Sequence, residues 1–243
     1  MNTTSTIEQL AGLKLYGMVK RYQAIAAQPV HQQPEAHTLL GMLAEAELHY
    51  RLQQRTQLYL RLSRLRYQAL FEEVKTGAER GLSKESLLQL ADGSFIEKGE
   101  NILITGATGC GKSYLACALG RQACMLGHRT LYYSMNRLIE ALAAARLDGS
   151  YLKWLNSIGR TPLLILDDFG LQPLDHGMKL TLLQILEDRY AKGATIITSQ
   201  LPVKAWHEYI GEPTLADAIM DRLAAHAHKI ELKGESLRTK KNR

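Results

Sequence analysis

The chain has 243 residues, 46% of them hydrophobic and 22% charged, with a net charge of +6. That is enough apolar material for a substantial core, and no run approaches the ~18 apolar residues of a membrane helix. The opening MNTTSTIEQLAGLKLYG lacks the basic segment and apolar run of a signal peptide, so the sequence points to a cytoplasmic protein without membrane attachment.

Residues 1 to about 75 read as helical. Leu10, Leu13, Tyr16, Gly17 and Lys20 open one amphipathic stretch, and Pro29 and Pro34 bracket a break, because proline interrupts a helix. From Glu35 to about Val74 the pattern resumes, with Leu39, Leu43, Leu48, Leu52, Tyr59, Leu62 and Leu65 near helical spacing. The other side carries Arg51, Arg55, Arg61, Arg64 and Arg66 with no acid between them. Gly77 and Gly81 mark a linker, and Ser83 can cap a short helix through Leu90. The boundaries predicted are a helical N-terminal domain over 1–76, a linker with a short helix over 77–98, and a second domain over 99–243.

From Asn101 onward strands and helices alternate. Strands are predicted at Asn101–Thr105, Arg129–Tyr133, Leu163–Asp167, Ala194–Thr198 and Ala227–Leu232. Helices are predicted at Lys112–Met125, Arg137–Leu147, Gly149–Asn156, Leu180–Tyr190 and Leu215–Ala225. The fold class is therefore α/β, a parallel sheet flanked by helices and preceded by a small all-helical domain. Cys110, Cys117 and Cys124 are spaced by seven. That suits neither a CxxC pair nor a metal site and reads as small buried hydrophobes.

Three stretches carry chemistry. Gly106, Ala107, Thr108, Gly109, Cys110, Gly111, Lys112 and Ser113 match G-x-x-x-x-G-K-[ST] between a strand and a helix. The glycines let the backbone wrap a phosphate, its N–H groups and the helix N-terminus attract the anion, Lys112 reaches the β- and γ-phosphates, and Ser113 ligates Mg²⁺. These eight residues and the adjoining Tyr114 are the candidate ATP contacts. The second stretch, Leu163–Asp168 (LLILDD), is an apolar strand ending in two acids. The carboxyl ends of parallel strands face the ligand, which assigns Asp167 to Mg²⁺ and Asp168 to the attacking water. At the next strand end, Gln200 is the candidate for holding the water or the γ-phosphate, with Ser199 as runner-up.

Two basic stretches point to a polyanion partner, most simply nucleic acid. One is the arginine series over 51–66. The other is the tail 229–243, with six basic residues, Lys240 and Lys241 among them, against two acidic ones.

Together with Trp206–Asp221 (WHEYIGEPTLADAIMD), Thr198–Pro202 (TSQLP) and Glu231–Arg238 (ELKGESLR), these motifs closely resemble the IstB-like transposition helpers. Those are AAA+ ATPases carried by bacterial insertion sequences and similar to the replicative helicase loader DnaC. The resemblance runs over nearly the whole chain and is strongest from 100 to 238. It implies a Mg²⁺-dependent ATPase that assembles as a homo-oligomer, ring or spiral, on double-stranded DNA, largely without base specificity, and that regulates an IstA-like transposase. It places Arg222 where such proteins carry an arginine finger acting on a neighbouring subunit's nucleotide. Arg238 is either a sensor-type contact to nucleotide or part of the basic tail. Two departures from the wider AAA+ pattern stand out: the second acid is Asp168 rather than Glu, and the eleven residues after Leu232 are too few for a C-terminal helical lid. The alternative reading is a DnaC-like helicase loader. A small-molecule kinase using the same loop would need a closing lid and would leave the basic stretches unexplained.

Overall fold

The computed structural model describes residues 3–237, so the candidate contacts Arg238, Lys240 and Lys241 lie outside the described residues. By its internal contacts the chain divides into two compact units, 1–58 and 59–243.

The first unit holds α1 (Thr3–Gly12), α2 (Tyr16–Ala26), a single 3₁₀ turn at Val30–Gln32 and most of α3 (Ala36–Ser63). Where α2 meets α3 the backbones nearly touch. A Cβ on Gly17 would come within 2.4 Å of the Ala46 carbonyl oxygen. Beside it, the buried Glu47 accepts the N–H groups of Gly17 at 2.7 Å and Met18 at 3.3 Å, while its other oxygen takes Arg51 Nε at 2.8 Å. The carboxylate thereby satisfies first-turn donors of α2 and complements its dipole. Burial pushes the Glu47 carboxyl up, but Arg51 and the two N–H groups outweigh it and hold the group below the ordinary glutamate range. Leu39, Leu43, Ala46 and Tyr50 form the partly buried stripe. Leu48 and Leu52, predicted on that face, are exposed; one position past Glu47, Leu48 is rotated about 100° around the helix.

The predicted helix to Val74 is also corrected. Helix α3 ends at Ser63, and Arg64 takes a left-handed φ of 56°. Beyond it the chain bends at Arg66 and Tyr67 and runs to a 3₁₀ turn at Phe71–Glu73, with Leu65, Tyr67, Ala69, Phe71 and Val74 packed on the core of the second unit. Residues 59–76, read from sequence with the helical domain, thus have their contacts in the second unit.

The second unit continues through α4 (Lys84–Ala91), capped by Ser83, and α5 (Ser94–Glu97) into the sheet. Its later elements are β1 (Ile102–Gly106), α6 (Lys112–Met125), β2 (Thr130–Ser134), α7 (Met135–Leu147), α8 (Tyr151–Gly159), β3 (Leu163–Phe169), α9 (His176–Arg189), β4 (Ala194–Ser199), α10 (Trp206–Ile210), α11 (Pro213–Ala224) and β5 (His228–Leu232). The five strands are parallel in the order β2-β3-β4-β1-β5. One apolar layer joins α4, α5, α6 and the 65–74 segment to the first face. A second joins α7 to α11, including fully buried Trp206, to the other face. A parallel sheet covered on both faces is what the near-continuous apolar strands require. Among the described residues, β5 is the last element.

Two predicted boundaries shift for local reasons. Helix α9 starts at His176 rather than Leu180, because Asp175 accepts the Met178 N–H at 2.6 Å as an N-cap. Strand β3 continues past Asp167 to Phe169 through a register shift between Leu166 and Phe169.

Candidate nucleotide-binding site

The strand order sets the site. Strand β4 lies between β1, which feeds the glycine-rich loop, and β3, which ends in the acids. Three strand ends therefore converge at the N-terminus of α6.

The loop has the conformation its glycines allow. Gly106, Gly109 and Gly111 have φ values of 144°, 82° and 99°. There is also no room for a side chain, since a Cβ on Gly106 would sit 2.2 Å from the Leu232 carbonyl oxygen. Two flanking segments brace the loop from outside: Arg80 Nη2 donates to the Cys110 carbonyl at 2.5 Å, and the Leu237 N–H to the Gly109 carbonyl at 2.9 Å. Lys112 is largely buried and donates to the carbonyls of Gly106 at 2.8 Å and Ala107 at 2.9 Å. Cys110 is fully buried and belongs to the core. Tyr114 is turned away from the loop. Its hydroxyl donates to Glu73 and accepts the Leu70 N–H at 3.3 Å, and its ring packs on Tyr67.

The acids are held unequally. Asp167 is fully buried, and both oxygens are engaged. Its Oδ1 accepts from Ser113 at 2.8 Å and from Thr198; its Oδ2 accepts from Tyr132 at 2.5 Å and lies 3.6 Å from Arg66 Nη1. Burial and the bond to Asp167 push the Tyr132 phenol far up, so it stays a donor. Asp168 sits at a left-handed φ of 66°, with its N–H donated to Thr198 Oγ1 at 3.1 Å. This turn brings a second carboxylate round beside the first, where a regular strand would send it to the opposite face. The Asp168 Oδ2 meets Arg66 Nη1 at 3.2 Å. Burial and the neighbouring Asp167 carboxylate push Asp168 above the usual aspartate range, with Arg66 pulling the other way.

At the end of β4, Gln200 Oε1 accepts from Thr108 of the loop at 2.8 Å. Ser199, the runner-up, is buried, with its hydroxyl donated to the Phe169 carbonyl at 2.5 Å. It fastens the β3 end rather than facing a ligand.

The structure therefore brings together Gly106–Ser113, Asp167, Asp168 and Gln200, and adds Thr198, Tyr132, Arg66 and Arg80. Tyr132 is one more aromatic in an apolar strand, and Thr198 one more β-branched residue in another, so neither carries a sequence signal of its own. Arg66 reads in sequence as the end of the basic stripe of the preceding helix.

Arg222 is not among them. It closes the far end of α11, pairing with Glu187 at 2.9 Å and Asp221 at 2.5 Å and lying over the Tyr190 ring. Its carbonyl accepts from Asn101, just before β1, at 3.0 Å. The phosphate loop leaves the other end of β1, roughly 17 Å away at the rise of five strand residues. Of the remaining arginines, Arg51 is paired with Glu47. Arg55, Arg61 and Arg64 are exposed. His176, His207 and His228 are exposed surface groups that meet Glu212, Asp217 and Glu100.

The donor set fits a magnesium nucleotide. A glycine cradle in which side chains would clash opens onto the N-terminus of a 14-residue helix. Beside it stands the hydroxyl–carboxylate pair, Ser113 and Asp167, that phosphate-loop proteins use for the cation.

Comparison with known proteins agrees with the geometry. The family described as IstB-like ATP binding protein matches residues 8–243. An insertion sequence ATP-binding protein of Sinorhizobium fredii, y4pL, is 45% identical over 238 residues, which span 98% of this chain and 97% of that one. The IS21 ATP-binding protein of Pseudomonas aeruginosa is 30% identical, across 96% of this chain and 88% of its own. Among solved structures, DnaI aligns with a TM-score of 0.58 at 22% identity over 68% of this chain and 92% of its own. The DnaC helicase loader aligns at 0.57 and 20% identity over 69% of this chain and 98% of its own. The sheet thus has the fold of DnaI and DnaC, and the matching family is one of ATP-binding proteins.

Proposed function

This chain belongs to the IstB-like ATP-binding protein family of insertion sequences, and from that premise we propose that it is a Mg²⁺-dependent ATPase whose nucleotide state controls its assembly on duplex DNA and its action on a partner transposase. The observation that carries the reading is the cluster of Ser113, Asp167 and Thr198 at the mouth of a fully formed phosphate loop. The likeness to DnaC and DnaI spans about two thirds of the chain. That to insertion-sequence proteins spans nearly all of it, which favours a transposition role over helicase loading.

The chain's own residues divide the work. The loop N–H groups and the α6 N-terminus take the phosphates. Lys112, now on two loop carbonyls, exchanges them for the β- and γ-phosphate oxygens. Ser113 and Asp167 would hold Mg²⁺, which would supply neutralising charge to the phosphates. Asp168 accepts the proton of the attacking water, and Gln200, held by Thr108, orients that water. The N–H groups and Lys112 are preorganised toward the charge that develops.

The distance of Arg222 from this site is what a finger acting in trans requires. A second subunit would present its Arg222 to the first subunit's nucleotide, with a gain of ~10³–10⁵ in rate. Complementary contacts to DNA would come from Arg55, Arg61 and Arg64 through phosphate, with affinity falling steeply with salt. The exposed Leu40, Leu48 and Leu52 of α3 are apolar surface that a transposase can cover.

The test is Lys112→Ala. Binding of a fluorescent ATP analogue should fall below detection, and nucleotide-dependent assembly on DNA should vanish. A Lys112→Ala protein that still assembles only with ATP would overturn the proposal.

A further inference from the structure

Arg66 makes a contact that the nucleotide chemistry does not need. Its Nη1 lies 3.2 Å from Asp168 Oδ2 and 3.6 Å from Asp167 Oδ2, so one guanidinium spans both acids. Its placement is built. Leu65 and Tyr67 on either side pack on the core, and the chain bends at Arg66 and Tyr67, leaving the Arg66 side chain to reach the acids. The side chain is still 44% exposed. It borders a groove of about 820 Å³ that Arg64, Arg137, Ser134 and Tyr133 also line, with Asp168 on its wall. An ion pair this exposed is weakly held and open to exchange. A phosphate diester offers the guanidinium a bidentate partner, and Arg64, Arg66 and Arg137 outnumber Asp168 and Glu140 along the groove, Glu140 pairing with Arg137 at 3.8 Å, which leaves it attractive to a phosphate chain.

We propose that Arg66 is a latch on Asp168, opened when the backbone of duplex DNA enters this groove and takes the guanidinium. The inference rests on the ATPase reading above. With the latch closed, Asp168 is tied to a cation and cannot accept the proton of water. With a DNA phosphate on Arg66, the carboxylate is free and hydrolysis proceeds. Arg66 is a positioning residue here: it acts through Asp168. The same exchange couples DNA to turnover within one subunit, independently of Arg222.

The experiment compares wild type, Arg66→Ala, Arg66→Lys and Arg64→Ala. Hydrolysis is measured with and without duplex DNA, and DNA affinity over a range of salt with a slowly hydrolysed ATP analogue present. Arg66→Ala should raise the DNA-free rate by about fivefold, the factor that a half-exposed ion pair can hold back, and stimulation by DNA should shrink by the same factor. Its slope of log affinity against log salt should drop by about one phosphate contact. Arg66→Lys keeps a cation on the acids and should keep the DNA-free rate low. Arg64→Ala should shift half-maximal stimulation to higher DNA concentration. A wild type stimulated by DNA beside an Arg66→Ala protein with unchanged DNA-free rate and unchanged salt slope overturns the latch alone. A wild type that does not hydrolyse ATP with DNA overturns the ATPase reading and the latch with it.

Discussion

Replacing Thr198 by valine tests whether the acid pair is held as described. Thr198 is fully buried at the end of β4, and its one hydroxyl serves both carboxylate residues. It donates to Asp167 Oδ1 and accepts the Asp168 N–H at 3.1 Å. Valine keeps the shape and loses both bonds. A hydrogen bond to a charged group contributes about 1.5–3 kcal/mol, and an orphaned backbone N–H costs about 1–3 kcal/mol when buried. Asp167 keeps Ser113 and Tyr132 as donors, which places the expected loss in the lower part of the combined range, about 2.5–4 kcal/mol. For a chain of this size that is roughly 5–16 °C in Tm. Urea unfolding monitored by circular dichroism gives the stability. A parallel titration with a fluorescent ATP analogue, with and without Mg²⁺, should show the Mg²⁺-dependent part of the affinity reduced, because Asp167 has lost a partner that fixes its rotamer. A loss under about 0.5 kcal/mol, the range of neutral surface changes, with Mg²⁺-dependent binding intact, would refute the reasoning.

Two further predictions concern groups away from the acids. Glu47 is held below its ordinary range by Arg51 and the N-terminus of α2. A carboxyl with a depressed folded value stabilises above its unfolded value and loses that contribution as pH falls through the folded one. Amide exchange in residues 3–58 should therefore accelerate as the pH falls below the ordinary glutamate range, and Glu47→Gln should remove most of that pH dependence. The three cysteines are fully buried, and burial pushes the Cys117 thiol up to about 11 and the Cys124 thiol upward. A thiol reagent at neutral pH should titrate none of them quickly in the folded protein and all three after denaturation. Fast labelling of any one would contradict the described packing.

Much of the site is legible in the sequence because its chemistry is local. The loop Gly106–Ser113 must be contiguous to wrap one phosphate chain, and Lys112–Met125 continues as a helix with the predicted limits. The apolar run Leu163–Leu166 marks a buried parallel strand. The end of that strand is less legible, because the turn at Asp168 depends on Thr198, thirty positions away. The segment after Ser63 shows a different difficulty. Leu65, Tyr67, Ala69 and Phe71 alternate, the mark of a non-helical chain with one face buried, yet Leu62 and Leu65 also extend the helical spacing of α3. Arg64 in a left-handed conformation decides between the two, and no residue type announces it. Arg66 consequently reads as part of a basic helix face, where its composition fits, rather than as a partner of the acids, where its backbone puts it. The bracing of the loop by Arg80 and Leu237 likewise joins segments 30 and 128 residues apart, and pairing of that kind leaves no local pattern.

The central claim is that bound ATP, shared between subunits, drives assembly on DNA. Sedimentation of the protein with duplex DNA, run without nucleotide, with ADP and with a slowly hydrolysed ATP analogue, tests it most directly. Large assemblies with the analogue alone, lost in Arg222→Ala, are the predicted result. The same sedimentation coefficient in all three conditions would contradict the shared site and the assembly it is proposed to control.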